Sequence, residues 1–289
     1  MPKLKLPSRN VMLFNGAAVL VVGASLAMVV RSMLFLESVP PCADRYVNAT
    51  RFSIDRNGFP MATSDLQSRL GNTDWGLHDG ARVVKLKSGP AKHALQIDMA
   101  RAPSDALTTS ADSRPGVGFT WSPKGLGQTQ SACLSYSVFL PERFVFGKGG
   151  RLPGLMGATP ESAEADQGPA FSTRFTWGPA GKADILAHLP AWPEGRSLAG
   201  SAGAFEIPRG RWVSLEQEIV LNGPGRKDGA LRVWVDGSIV VNRSDMVFRT
   251  KPTVTFAGVL AESLAGEPPA GAKKGNQKIW LTPFELRWQ

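Results

Sequence analysis

The chain has 289 residues, 43% of them hydrophobic, with 31 Gly and 22 Pro; this allows one large or two smaller packed domains rich in turns. Its formal net charge is +9, and without the first 45 residues, which hold five basic and two acidic ones, the remainder still carries +6. A basic body favours an anionic partner, either polyuronate or anionic lipid, and the lack of a Lys/Arg run interleaved with aromatics argues against nucleic acid.

Lys3, Lys5 and Arg9 precede Val11 to Val30, a stretch with no charged residue. Twenty residues in a helix span about 30 Å, the thickness of a bilayer core. Three basic residues before the span against Arg31 alone just after it put the N-terminus inside and the rest outside. The rival is a signal peptide cut near Ser25-Leu-Ala27, but the apolar run continues past that point. The predicted order is a basic tail over 1–10, a transmembrane anchor over 11–30, a stalk over 31–45 ending in Ser38-Val-Pro-Pro-Cys42, and one domain over 46–289 in the periplasm or outside the cell. Cys42 and Cys133 are open to two assignments: a disulfide, which an oxidising compartment permits, or a buried strand thiol and an incidental stalk residue.

Beyond the stalk, Ser64 to Leu70 reads as a turn of helix with Ser64 as N-cap. Arg82–Lys87 and Ala94–Met99 read as strands, Arg101 to Pro115 as a polar loop, and Gly116–Trp121 and Cys133–Leu140 as strands again. Strand patterns return at Phe171–Trp177, Ala183–Leu189, Trp212–Leu221, Thr253–Phe256 and Ile279–Trp288. Leu231 to Val241 reads as a hairpin turning at Asp236-Gly237. Gly258 to Asn276 is predicted to be a rim loop, and Trp177, Trp212 and Trp234 to be core residues. Many short strands without a sustained helical period predict an all-β sandwich.

Alternation places Ser172, Arg174 and Thr176 on one face of their strand, and Asp184, Leu186 and His188 on one face of the next. If the hairpin closes over 178–182, Ser172 lies opposite His188 and Arg174 opposite Leu186, with Cβ atoms about 5 Å apart. Such a cluster suits β-elimination on a uronan. The proton at C5 becomes acidic only when the neighbouring carboxylate is neutralised, which a cation such as Arg174 or Lys148 with a donor such as Ser172 does. A neutral histidine, His188, then fits the base. His78 and His93 lack ligand spacing and there is no cysteine cluster, so neither a metal nor a cofactor is expected.

The segments Lys148-Gly-Gly-Arg-Leu-Pro-Gly-Leu155, Phe171–Trp177 and Ala183–Pro190 resemble the core of the fourteenth family of polysaccharide lyases, alginate and glucuronan lyases built on a jelly roll (a concanavalin-like sandwich). Cys133–Pro141, Arg211–Gln217, Gly229–Gly237 and Val247–Thr250 are similar to further parts of that family. The resemblance implies a site made of a lysine, a Ser-x-Arg pair and a Tyr-x-Tyr pair. Lys148, Ser172 and Arg174 match the first two, Arg151 stands where many members have a second lysine, and Leu186 and His188 replace the tyrosines. Two functions follow as expectations: a membrane-anchored lyase for an anionic polysaccharide, or a binding module that holds an acidic exopolysaccharide without cleaving it. A structural lectin-like domain is a third, weaker alternative.

Overall fold

The alternating segments of the sequence become antiparallel strands with short turns between them. The computed structural model describes residues 39–71, 74–100, 116–160, 168–200, 203–266 and 277–289. The predicted span over 11–30, most of the stalk and the loop at 101–115 lie outside the described residues. Among the described residues no helix is long and apolar enough to cross a membrane.

In chain order the strands begin with β1 (Asn48–Arg51), β2 (Asp55–Arg56), β3 (Phe59–Pro60), β4 (Ala81–Lys85) and β5 (His93–Asp98). Next come β6 (Gly116–Val117), β7 (Thr120–Trp121), β8 (Ser131–Phe139), β9 (Gly150–Ala158), β10 (Phe171–Trp177) and β11 (Lys182–Leu189). They continue with β12 (Trp192–Ser197), β13 (Phe205–Glu206), β14 (Trp212–Val220), β15 (Gly229–Val235) and β16 (Ser238–Met246). The last are β17 (Thr255–Leu260), β18 (Ser263–Ala265), β19 (Lys278–Leu281) and β20 (Glu285–Trp288). The first sheet runs β16-β15-β14-β8-β19-β5-β4, with β20 against β8 and β1 against β20. The second runs β12-β11-β10-β9-β17-β7, with β13 on β11 and β18 joined to β9 and β6.

The two sheets form a sandwich because one side-chain row of each is apolar. Leu134, Tyr136 and Val138 of β8 and Leu215 and Ile219 of β14 meet Phe171, Phe175 and Trp177 of β10 and Ile185 of β11 in one buried cluster. Each such side chain removed from water contributes about 1.5–3 kcal/mol. Two polar residues cross this core. The Leu155 N–H donates to Gln217 Oε1 at 3.0 Å, and the Tyr136 hydroxyl donates to the Pro153 carbonyl at 2.9 Å. Both fix β9 against the first sheet, and β9 is the central strand of the second.

Several sequence expectations change in detail. Helix α1 spans Thr63–Leu70 with Ala62, not Ser64, at its N-cap and no side-chain cap, since the chain turns helical two residues early. The Asp236-Gly237 hairpin is present, both residues at positive φ (49° and 78°), as the tight turn between Val235 and Ser238 demands. Of the predicted rim loop, 267–276 lie outside the described residues, and the described part is mostly strand: Gly258–Leu260 completes β17 and Ser263–Ala265 forms β18, so backbone pairing overrides the Gly/Ala-rich composition there. Trp177 and Trp234 are buried, whereas Trp212 is half-buried against Phe139.

Cys42 and Cys133 are bonded, with Cα atoms 5.8 Å apart. The end of the predicted stalk is thereby part of the packed unit, which begins at Pro40. Cys42–Asp44 forms a short 3-10 turn over β8 and β14. Arg45 and Tyr46 both donate to Glu218 Oε1, at 2.7 and 2.5 Å, and Arg232 donates to Oε2 at 2.7 Å, so a fully buried carboxylate has three donors.

Candidate functional site

The hairpin of β10 and β11 has the register that alternation requires. Ser172 pairs with His188 and Arg174 with Leu186, with Thr176 opposite Asp184. Phe171, Phe175, Ile185 and Ala187 point into the core, so the other row lies on the outer face of the second sheet. On the neighbouring strand β9, Met156 pairs with Ser172, Gly154 with Arg174, and, past a bulge, Arg151 with Thr176. Gly154 cannot carry a side chain, because a Cβ there would overlap the Thr173 carbonyl oxygen.

Arg174 sits at the centre of this row, only 6% exposed. One end of its guanidinium is ion-paired with Glu262 (Nη1 to Oε2), and its Nη2 lies 3.4 Å from His188 Nδ1. Glu262 stands in the Ala261–Glu262 connection between β17 and β18. Both of those strands pair with β9 on the side away from β10, so the ion pair reaches across β9. Charge-assisted Arg–carboxylate pairs are among the stronger hydrogen bonds. With an arginine donating to Nδ1, the ring of His188 is neutral and its hydrogen is assigned to Nε2. Burial first, then the positive charges of Arg174 and Arg151, hold the His188 pKa below its ordinary value of 6.5. Gly195 of β12 lies against the ring, since a Cβ there would come within 2.5 Å of Nε2.

Asp184, on the same face, is occupied by structure: it accepts from the Ser197 hydroxyl and from the Ala199 N–H at 2.6 Å. At the Thr176 end of the row a cavity of about 260 Å³ is lined by Lys148, Arg151, Thr176, Trp177 and Leu264. Lys148 is exposed in the turn before β9, where Gly149 takes φ +114°. The structure thus brings Ser172, Arg174 and His188 together, and places Lys148 and Arg151 around the adjoining cavity.

Two features escaped sequence reasoning. Glu262 is the one acid between the apolar runs Phe256–Ala261 and Leu264–Ala265, a signal hidden by reading that stretch as a loop. Gly195 carries no sequence signal beyond being a strand glycine. Neither tyrosine of the chain reaches the site, for Tyr136 is bonded in the core and Tyr46 to Glu218. Burial pushes the Tyr136 phenol well above its usual range.

The family model for polysaccharide lyase 14 matches residues 88–282, and the chain belongs to that family. Among solved structures, the alginate lyase of that family from Aplysia kurodai superposes with a TM-score of 0.63 at 22% identity, covering 84% of this chain and 99% of that one. An alginate lyase from a Chlorella virus gives 0.55 at 17%, covering 78% and 97%. A variant alginate lyase solved with an alginate trisaccharide gives 0.53 at 16%, covering 83% and 98%. At these identities the likeness concerns the fold. A search of curated proteins by sequence finds no match.

Proposed function

We propose that this protein acts on an anionic, uronate-containing polysaccharide by β-elimination, at the outer face of the second sheet. The observation that carries this is the packing of Arg174 against His188 beside Ser172, a cation, a neutral imidazole and a hydroxyl on one row. Arg174 neutralises the uronate carboxylate and Ser172 donates to it, which acidifies the C5 proton. His188 takes that proton, the C4–O bond breaks, a C4=C5 double bond forms, and the departing oxygen takes up a proton. The lone pair His188 uses is Nδ1, so Arg174 must turn from the ring towards the sugar for the step to occur. Lys148 and Arg151, around the adjoining cavity, bind further carboxylates of the polymer. We place the domain outside the cytoplasm, held to the membrane by residues 11–30.

A second reading, a module that binds without cleaving, is favoured by Leu186. It stands directly opposite Arg174 and can neither give nor take a proton.

Incubating the chain with polyglucuronate and alginate while following ultraviolet absorbance separates the two. For the lyase, absorbance grows as unsaturated ends form, and His188→Ala slows it by roughly 10²–10⁴-fold. For the module, salt-sensitive binding occurs with flat absorbance. Neither binding nor absorbance with any polyuronate overturns both.

A further inference from the structure

Arg174 already holds a carboxylate. Its guanidinium is ion-paired with Glu262, and the acid side chain is the more exposed of the two, 17% against 7%. The backbone beneath Glu262 is fixed on both sides. The Ala261 N–H donates to the Phe119 carbonyl at 2.8 Å, and Ser263–Ala265 pairs with β6 and β9. Only the side chain is therefore free to swing. Among the described residues, the other acid on this face, Asp184, is committed to Ser197 and Ala199 and does not compete for Arg174.

We propose that Glu262 is a built-in substitute for the substrate's carboxylate, which a uronate must displace from Arg174, and is thus a specificity-determining residue of the site. This rests on the function proposed above. Two consequences follow from the chemistry. A neutral sugar offers nothing to exchange for Glu262, so it is rejected. A single uronate competes against an intramolecular carboxylate at high effective concentration and loses. A polymer wins, because further carboxylates engage Lys148 and Arg151 around the adjoining cavity at the same time.

The test measures calorimetric affinity of the purified full chain for polyglucuronate and for monomeric glucuronate, at fixed ionic strength, in wild type and Glu262→Gln. Glu262→Gln should bind the polymer about tenfold more tightly and bind the monomer detectably, and adding Arg174→Ala should erase both gains. Equal or weaker polymer binding by Glu262→Gln overturns the proposal. A second measurement needs no glycan: phenylglyoxal labelling of Arg174, followed by peptide mass, should be about tenfold faster in Glu262→Gln, within the range that loss of one charge-assisted pair allows. An unchanged labelling rate overturns the proposal whatever the glycan does. Faster labelling with no polyuronate binding in either protein supports Glu262 as the occupant of Arg174 and overturns the polysaccharide function instead. Should Glu262→Gln fail to melt cooperatively, Glu262→Asp, one methylene shorter, carries the same expectations in smaller degree.

Discussion

His188 links the proposed chemistry to a measurable proton balance. Its pKa in the folded chain lies below 6.5 because burial and the charges of Arg174 and Arg151 disfavour the imidazolium. In the unfolded chain it titrates near 6.5. Between those two values the unfolded state binds more protons, so this residue makes stability fall as pH drops from about 6.5 towards the folded value. The melting temperature of His188→Gln should therefore decline less than that of wild type between pH 7.5 and 5.0, while the two run parallel above pH 7.5. Parallel curves throughout would show that the ring titrates normally. The positions of Ser172, Arg174 and His188 were legible beforehand, because strand alternation sets the face and a short turn sets the register. Glu262 was not. Bulges interrupt the pairing of β17 with β9 and of β9 with β10, so counting along the strands does not reveal that its carboxylate meets Arg174.

At the scale of elements, the segment from Pro40 to Tyr46 is bonded to the outer face of β8 and β14. Cys42 is bonded to Cys133, the Ala43 N–H donates to Glu216 at 3.2 Å, and Arg45 and Tyr46 satisfy Glu218. Two cysteines offer no spacing pattern, and Pro-Pro before Cys42 resembles a spacer, so this element could not be separated from a stalk by sequence alone. The disulfide closes a separation of 91 residues. Chain-entropy reasoning assigns such a crosslink about 4–5 kcal/mol. Cys42→Ser should thus lower the unfolding free energy in urea by several kcal/mol, and reductant should bring wild type down to the same level. If reductant leaves the wild-type midpoint unmoved, the crosslink adds nothing to the packing already present. Glu216, also beneath this segment, has its pKa raised chiefly by burial. It is thus a residue whose ionisation above its ordinary range weakens the fold.

On the scale of the whole molecule, the two outer faces of the sandwich carry different things. Residues 40–46 cover the first sheet at Cys133, Glu216 and Glu218, and the Arg174 row lies on the second, with the apolar core between them. The polypeptide therefore enters the domain on the side away from the proposed groove. That arrangement suits attachment through the preceding residues, and the uncharged run from Val11 to Val30 supplies the means we propose. The sandwich was legible from strand patterning, whereas its true beginning depended on a crosslink and a buried carboxylate that patterning does not record. The anchor can be tested without any substrate. The full chain should sediment with membranes and resist alkaline carbonate extraction, whereas a chain beginning at Pro40 should stay in the supernatant with an unchanged melting temperature. A chain beginning at Tyr46, which lacks Cys42 and Arg45, should also be soluble but melt well below it. Carbonate-soluble full chain would refute the anchor, and a mature N-terminus just after Ala27 would identify the segment as a cleaved signal peptide.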